Sequence, residues 1–165
     1  GLLKDGKGST CEGGFRVPCI MWGKNIKSGI VTDMASTLDL LPTFCELAGV
    51  KLPEDREYDG GNLTQVLYHK ADSPRKIYPF FRGKEMYAFR KGKYKIHFIS
   101  RPAYGPDDRT IHATPLLYDI ENDPGEQYNI ASKHPDIVKE LSENAKEYLS
   151  TLVIKESIFD LEPKK

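Results

Sequence analysis

The sequence has little of three things: long apolar runs, excess charge of one sign, and cysteine. No apolar run approaches the roughly 20 residues that a membrane-spanning helix needs. Lysine plus arginine and aspartate plus glutamate number 24 each, so the chain has no overall attraction for nucleic acid or for an anionic membrane. We therefore expect no nucleic-acid partner and no membrane span, and any anion-binding site must be local.

The three cysteines, Cys11, Cys19 and Cys45, argue against two further classes of protein. A disulfide framework usually has an even number of cysteines, and a zinc site usually has a CxxC spacing. This chain has neither, which argues against both. Cys19 and Cys45 lie among apolar residues and are interpreted as small core residues. The cysteine content therefore does not indicate a compartment.

The first residues lack an initiator methionine and the apolar stretch of a signal peptide. The 165 residues are enough for one domain, or for one small domain and a piece of another. We therefore expect a fragment of a longer protein. Whether it is natural, cloned or proteolytic is not indicated by the sequence.

Two blocks are predicted, joined by a polar connection at residues 51–61 that ends in glycine. The first block opens with a loop that has four glycines within nine residues around Lys7. A short strand is predicted at residues 17–22. A helix is predicted at residues 36–48, where apolar residues recur on one face and Pro42 interrupts the pattern.

The second block is predicted to be an antiparallel sheet followed by a long helix. Three runs rich in aromatic and β-branched residues are separated by short turns with glycine, which is typical of hairpins. These runs are residues 77–82, 86–90 and 94–99, and a fourth strand is predicted at 116–120 after a long polar loop. Apolar residues from Ile137 to Leu152 recur at helical spacing, and Pro135 suits the first helical position. Asp107 and Asp108 are interpreted as a solvated turn, and residues 155–165 are predicted to fray.

The loop around Lys7 is the strongest candidate for chemistry. Glycines let the backbone approach a ligand closely, and a lysine among them can bring a compact cation to an oxyanion such as phosphate or sulfate. The loop is not a nucleotide phosphate-binding loop. In that motif the lysine follows the last glycine and precedes a helix, whereas Lys7 lies between glycines and a strand is predicted after the loop. On spacing alone a solvated lysine is the more common outcome, so both interpretations stay open.

The run from Leu2 to Pro18 resembles the C-terminal signature of the arylsulfatase family, whose members depend on formylglycine. The matching parts are Gly6-Lys7-Gly8-Ser9 and Glu12-Gly13-Gly14-Phe15-Arg16-Val17-Pro18. Further matches follow in family order: Asp39-Leu40-Leu41-Pro42-Thr43, Leu47-Ala48-Gly49, Lys93-Tyr94-Lys95, Leu116-Leu117-Tyr118-Asp119-Ile120, Asp123-Pro124-Gly125-Glu126 and His134-Pro135. Several separate motifs in one order over nearly the whole chain make the resemblance specific.

The resemblance implies an α+β fold. The expected C-terminal sulfatase subdomain has a four-stranded antiparallel sheet and a long packing helix, preceded by the last segment of an alkaline-phosphatase-like α/β domain. Residues 1–52 would be the end of that large catalytic domain, with the lysine loop, a strand and a helix. Residues 62–165 would be the small C-terminal domain. The implied activity is hydrolysis of an aryl sulfate or a sulfated carbohydrate, in a periplasmic, secreted or lysosomal protein.

The resemblance also suggests roles for individual residues. Lys7 matches the family lysine that contacts the sulfate group. Glu12 and Arg16 belong to the same motif and are interpreted as bracing the loop through salt bridges and backbone hydrogen bonds. Loops of the C-terminal domain reach over the active site in this family, and an exposed loop residue is otherwise usually just solvated. On this basis the candidates for substrate contact are His97, Arg101, Tyr104 and His112.

The family's nucleophile and calcium ligands have no match in this chain. Formylglycine forms from the Cys or Ser of a Cys/Ser-x-Pro-x-Arg motif; Ser100 has Pro102 in place but is followed by Tyr104 where arginine is needed. The aspartate and asparagine ligands of calcium are also missing, so we expect no metal ligand here. Calcium and formylglycine are expected in the full-length enzyme and not in this chain. The isolated chain is therefore predicted to be inactive without the missing N-terminal catalytic part.

Two alternatives remain. A stand-alone small α+β module that binds a glycan or a protein partner would fit if the chain were complete. A phosphatase or phosphodiesterase of the same superfamily is the other, although these enzymes do not usually carry the Glu12-Gly13-Gly14 context.

Overall fold

The computed structural model describes residues 1–104 and 108–153. They belong to two compact units, one formed by Gly1–Arg16 with the chain from Pro79 onward, and one formed by Val17–Tyr78. The predicted boundary at residues 52–62 falls inside the second unit, and the assignment of residues 1–52 to a larger domain stays a prediction. Asp107 and the tail at residues 155–165 lie outside the described residues.

A four-stranded antiparallel sheet in the order β1-β2-β3-β4 confirms the predicted α+β fold. Its strands are β1 (Ile77–Arg82), β2 (Glu85–Lys91), β3 (Tyr94–Ser100) and β4 (Thr110–Asp119). A two-residue turn joins β1 to β2, and another joins β2 to β3. Each turn begins with a glycine at positive φ, 60° at Gly83 and 56° at Gly92. This is the conformation that type II′ hairpin turns require.

Strand β4 is longer than predicted, because it begins at Thr110 and not at Leu116. Its polar first half pairs with the end of β3, with Thr110 opposite Ser100, after an irregularity in register between His97 and Ile99. Such an extension depends on a partner strand, and the side-chain pattern of the segment alone does not indicate it.

The two faces of the sheet are covered by different segments. Helix α4 (Pro135–Thr151) contacts β2 and β3, and the Tyr148 ring lies 6.2 Å from the ring of Phe89. Phe89 and Leu117 are both paired with Ile96, so the three share this face, and all are fully buried. The opposite face carries Lys95 and its neighbours, and residues 4–15 contact it, including the short helix α1 (Glu12–Phe15).

The second unit contains α2 (Leu40–Ala48) and α3 (Thr64–His69). A 3-10 turn, Thr37–Asp39, precedes α2, so the predicted helix at residues 36–48 is confirmed in this divided form. The carboxylate of Asp39 is fully buried and accepts hydrogen bonds from the Arg75 side chain and from the Gly61 N–H group at 2.7 Å. These contacts hold the connection at residue 61 against the start of α2.

Two expectations for the second unit are wrong. Residues 17–22 form no strand, and the side chains of Ile20 and Trp22 are 94% and 95% exposed. Cys19, interpreted as a small core residue, is exposed. The apolar stripe of α2 also faces solvent, since the buried residues of this helix are Pro42 and Thr43. The physical reason is common to both: an apolar pattern identifies a surface to be covered, but not which segment covers it.

Candidate functional site

Lys7 lies at the tip of a tight turn. The Ser9 N–H group donates to the Gly6 carbonyl oxygen at 3.1 Å, which closes a four-residue turn around Lys7 and Gly8. Gly8 has φ of 100°, as the third residue of a type II turn requires. The turn leaves the Lys7 side chain exposed, where an anion can approach its ammonium group.

Two glycines bring helix α1 against this turn. The Gly13 N–H group donates to the Lys4 carbonyl oxygen at 2.9 Å. A Cβ atom at Gly13 would overlap the carbonyl oxygens of Lys4 and Asp5, and one at Gly14 would overlap the Ser9 carbonyl oxygen. The Glu12-Gly13-Gly14 sequence is therefore explained by close contact between helix and loop.

Replacing Gly13 by alanine is expected to destabilise the chain by about 1–3 kcal/mol, the usual range for overpacking. The added methyl group has no room, because backbone atoms surround it. Gly6→Ala is the matched control, since a Cβ atom there meets nothing within 4 Å. Urea unfolding of both variants measures the difference, and equal stability of the two would contradict this account of the loop.

Behind the loop, the carboxylate of Glu12 is buried against the sheet. Its Oε1 atom accepts a hydrogen bond from Lys95 Nζ at 3.0 Å, and its Oε2 atom lies 3.3 Å from Arg90 Nη1. Lys95 is 0% exposed, and its ammonium group also lies 3.9 Å from the centre of the Phe80 ring. A buried lysine is stable only when it is paired, so Glu12 and Lys95 depend on each other.

Glu126 completes this cluster from the turn after β4. Its Oε1 atom accepts from His97 Nε2 at 2.7 Å and lies 3.1 Å from Lys95 Nζ. Its Oε2 atom accepts from the backbone N–H group of Glu12 at 2.9 Å. We call Glu12, Arg90, Lys95, His97 and Glu126 the buried charge network.

The protonation states of the network follow from its contacts. Burial alone would raise the pKa of Glu126, but the His97 hydrogen bond and the charge of Lys95 outweigh it and lower the pKa to about 2. Burial lowers the pKa of His97 and outweighs the attraction of the Glu126 carboxylate. At neutral pH His97 is therefore neutral and donates its Nε2 proton, and two carboxylates balance two cations.

The structure brings two of the predicted site residues to the lysine loop. The Ala103 N–H group donates to the Asp5 carboxylate at 3.1 Å and ties the segment after β3 to the loop. Arg101 and Tyr104 flank this contact; Arg101 is half-buried, and Tyr104 is 76% exposed. Both candidates for substrate contact thus lie in a segment attached to the turn that carries Lys7.

The other predicted site residues lie elsewhere. His97 is buried in the network, a position that favours a structural role over substrate contact. His112 is half-buried on β4, and its Nε2 atom is hydrogen-bonded to Ser100 Oγ at 2.8 Å. Arg16 is exposed, and its backbone N–H group donates to the Glu12 carbonyl oxygen at 2.8 Å. The partners of the Glu12 carboxylate are Lys95 and Arg90, which the sequence did not suggest.

Residues 1–104 and 108–153 contain no group of three or more His, Cys, Asp or Glu side chains arranged to hold a metal ion. Within the same residues, no helix combines the length and the apolar character needed to cross a bilayer.

Comparison with known proteins gives a consistent result. A sequence profile of the C-terminal region of aryl-sulfatase matches residues 73–163. The chain is 38% identical over 164 residues to arylsulfatase A from Homo sapiens, covering 87% of this chain and 32% of that protein. It is 30% identical over 178 residues to an arylsulfatase from Hemicentrotus pulcherrimus, covering 92% and 32%.

A solved structure extends the similarity to the fold. The crystal structure of the PsFucS1 sulfatase from Pseudoalteromonas sp. superposes with a TM-score of 0.77 at 26% identity. The superposition covers 90% of this chain and 32% of that one. The chain therefore spans about a third of the length of the proteins it matches.

Proposed function

The chain belongs to the aryl-sulfatase family, and from this premise we propose that it forms the C-terminal part of an enzyme that hydrolyses sulfate esters. The observation that carries the proposal is the similarity to arylsulfatases, which covers 87–92% of the chain. Within this enzyme, we propose that Lys7 contacts the sulfate group of the substrate.

The turn geometry is suited to that role. Hydrolysis of a sulfate ester breaks the bond between sulfur and the bridging oxygen, and negative charge grows on that oxygen. A cation held in place before the reaction stabilises this charge without further reorganisation. Lysine offers a compact charge on a flexible stem, and the glycines beside it let a sulfate group come close to the backbone.

This chain supplies only one side of the proposed site. Formylglycine and calcium are implied by the sulfatase family, but no Cys/Ser-x-Pro-x-Arg motif occurs in the sequence. The described residues also lack a group of side chains that fits a metal ion. We propose that the nucleophile and the calcium ligands belong to the N-terminal part of the complete protein.

The exposed apolar surface of the second unit supports this division. Leu38, Leu41, Phe44 and Leu47 are between 44% and 56% exposed. A surface of this kind usually marks an interface. We propose that the N-terminal part covers it, so that residues 1–52 complete the large catalytic domain of the enzyme.

The substrate class stays open between an aryl sulfate and a sulfated carbohydrate. We propose Arg101 and Tyr104 as the first residues to test for substrate contact, because the bond from Ala103 to Asp5 attaches their segment to the lysine loop. His112 and His97 are weaker candidates, since both rings already have hydrogen-bond partners. The family resemblance favours a periplasmic, secreted or lysosomal location.

The proposal predicts that the complete protein hydrolyses a chromogenic aryl sulfate and that the purified 165-residue chain does not. The reason is that this chain lacks the nucleophile. Parallel assays with the matching aryl phosphate separate a sulfatase from a phosphatase of the same superfamily. Aryl sulfate hydrolysis by the chain alone would contradict the division of the site. Absence of sulfatase activity in the complete protein, together with binding of a glycan, would favour the binding-module alternative.

A further inference from the structure

We propose that Glu126 is a positioning residue for Lys7, because it anchors the lysine loop on both sides of the turn. This inference rests on the proposed contact between Lys7 and the sulfate group. It gives a role to a buried carboxylate that lies outside the lysine motif by more than a hundred residues of sequence.

Glu126 contacts the loop at two points. Its side chain accepts the Glu12 N–H group at 2.9 Å, and its backbone carbonyl oxygen accepts from Lys4 Nζ at 3.2 Å. Lys4 and Glu12 are the two ends of the segment that carries Lys7. Glu126 therefore holds both ends of the loop. Within the loop itself, a few backbone hydrogen bonds close the turn.

Glu126 is itself held firmly. It is 1% exposed; His97 of strand β3 donates to its Oε1 atom, and Lys95 of the same strand forms an ion pair with that atom at 3.1 Å. Its φ is 50°, a left-handed conformation that is unfavourable for glutamate and persists only where surrounding contacts enforce it. The position of the loop is thus set by β3, through Glu126.

The site requires a carboxylate and not an amide. Every described side-chain contact of Glu126 is with a donor: Lys95, His97 and the Glu12 N–H group. The NH₂ group of a glutamine would face one of these donors. Because an NH₂ group cannot accept, the hydrogen bond from that donor would be lost. Glu126→Gln is therefore expected to loosen the loop while leaving Lys7 chemically unchanged.

The test is a double-mutant cycle on kcat/KM for an aryl sulfate, measured in the complete protein. Glu126→Gln is expected to lower kcat/KM about 10–100-fold, the scale of an active-site misplacement of about 1 Å. Because Glu126 acts through Lys7, the double variant Glu126→Gln/Lys7→Ala is expected to match Lys7→Ala alone within about twofold. Glu143→Gln, on the exposed face of α4, is the control for removal of a carboxylate and should retain wild-type kcat/KM.

The outcomes separate this inference from the proposed function. The positioning role is wrong if the loss of kcat/KM in the double variant equals the product of the losses in the two single variants. It is also wrong if Glu126→Gln has no effect on kcat/KM. In both cases the role of Lys7 stands. If Lys7→Ala itself has no effect, the proposed contact between Lys7 and the sulfate group fails, and the positioning role fails with it. If the unsubstituted complete protein does not hydrolyse the aryl sulfate, the proposed function itself fails. Should Glu126→Gln not fold, as judged by thermal melting, His97→Phe removes a single donor to Glu126 and enters the same cycle with the same expected outcome.

Discussion

Replacing Lys7 by alanine in the complete protein is expected to lower kcat for an aryl sulfate by about 10²–10³-fold, the cost of removing one preorganised oxyanion-stabilising group. The variant should fold normally, because the Lys7 side chain is exposed at the tip of its turn. The loss should therefore appear in catalysis and not in the thermal melting temperature.

Lys84→Ala is the matched control. Lys84 also lies beside a glycine in a tight, exposed turn, between β1 and β2. Steady-state kinetics of both variants give the comparison, and we expect Lys84→Ala to retain wild-type kcat. A Lys7→Ala variant within twofold of the wild type would show that Lys7 is only a solvated lysine.

Replacing Lys95 by methionine is expected to destabilise the chain by about 3–5 kcal/mol, the usual cost of removing one partner from a buried ion pair. Methionine approximates the volume of the lysine stem, so packing changes little. What is lost is the cation between the carboxylates of Glu12 and Glu126, which lie 3.0 and 3.1 Å from Lys95 Nζ. Each carboxylate then stays buried with too little compensating charge.

The matching surface substitution is Lys139→Met. Lys139 is exposed on α4 and lies 4.0 Å from Glu143, a pair of the kind that contributes little to stability. Urea unfolding should therefore show a change of less than about 1 kcal/mol for this variant. Equal destabilisation by Lys95→Met and Lys139→Met would contradict the buried charge network.

The sheet and the last helix were predictable from the sequence because their patterns are local. Alternation of apolar residues in β3 and glycines at the hairpin turns fixed the first three strands to within one residue. Pro135 and the apolar stripe after it placed the start of α4. Each of these signals arises within a few residues, so no knowledge of a partner segment was needed.

The strand expected at residues 17–22 failed because the sequence of that segment does not say whether a partner strand exists. Ile20 and Trp22 have the apolar character of a strand, but no described residue pairs with that segment. The stripe on α2 was recognised correctly as apolar, yet it faces solvent. A hydrophobic pattern specifies that burial is favourable, and only the rest of the protein determines whether it occurs.

The candidate site was predictable in one part only. The glycine pattern and the family resemblance pointed to Lys7, and neither pointed to Lys95 or Glu126. A buried lysine is rare, so composition gives no reason to expect Lys95 in the interior. One signal was present: Lys95 and His97 alternate in phase on one face of a strand whose other face is core. Two polar residues in that pattern indicate a buried polar cluster, and a carboxylate is the partner they need.

The contact between Lys7 and the sulfate group is tested most directly by a crystal structure of the complete protein with bound sulfate or an unreactive sulfate-ester analogue. We predict Lys7 Nζ at about 3 Å from a sulfate oxygen, the distance of a charge-assisted hydrogen bond. A sulfate group bound in the active site beyond hydrogen-bond reach of Lys7 would contradict this account.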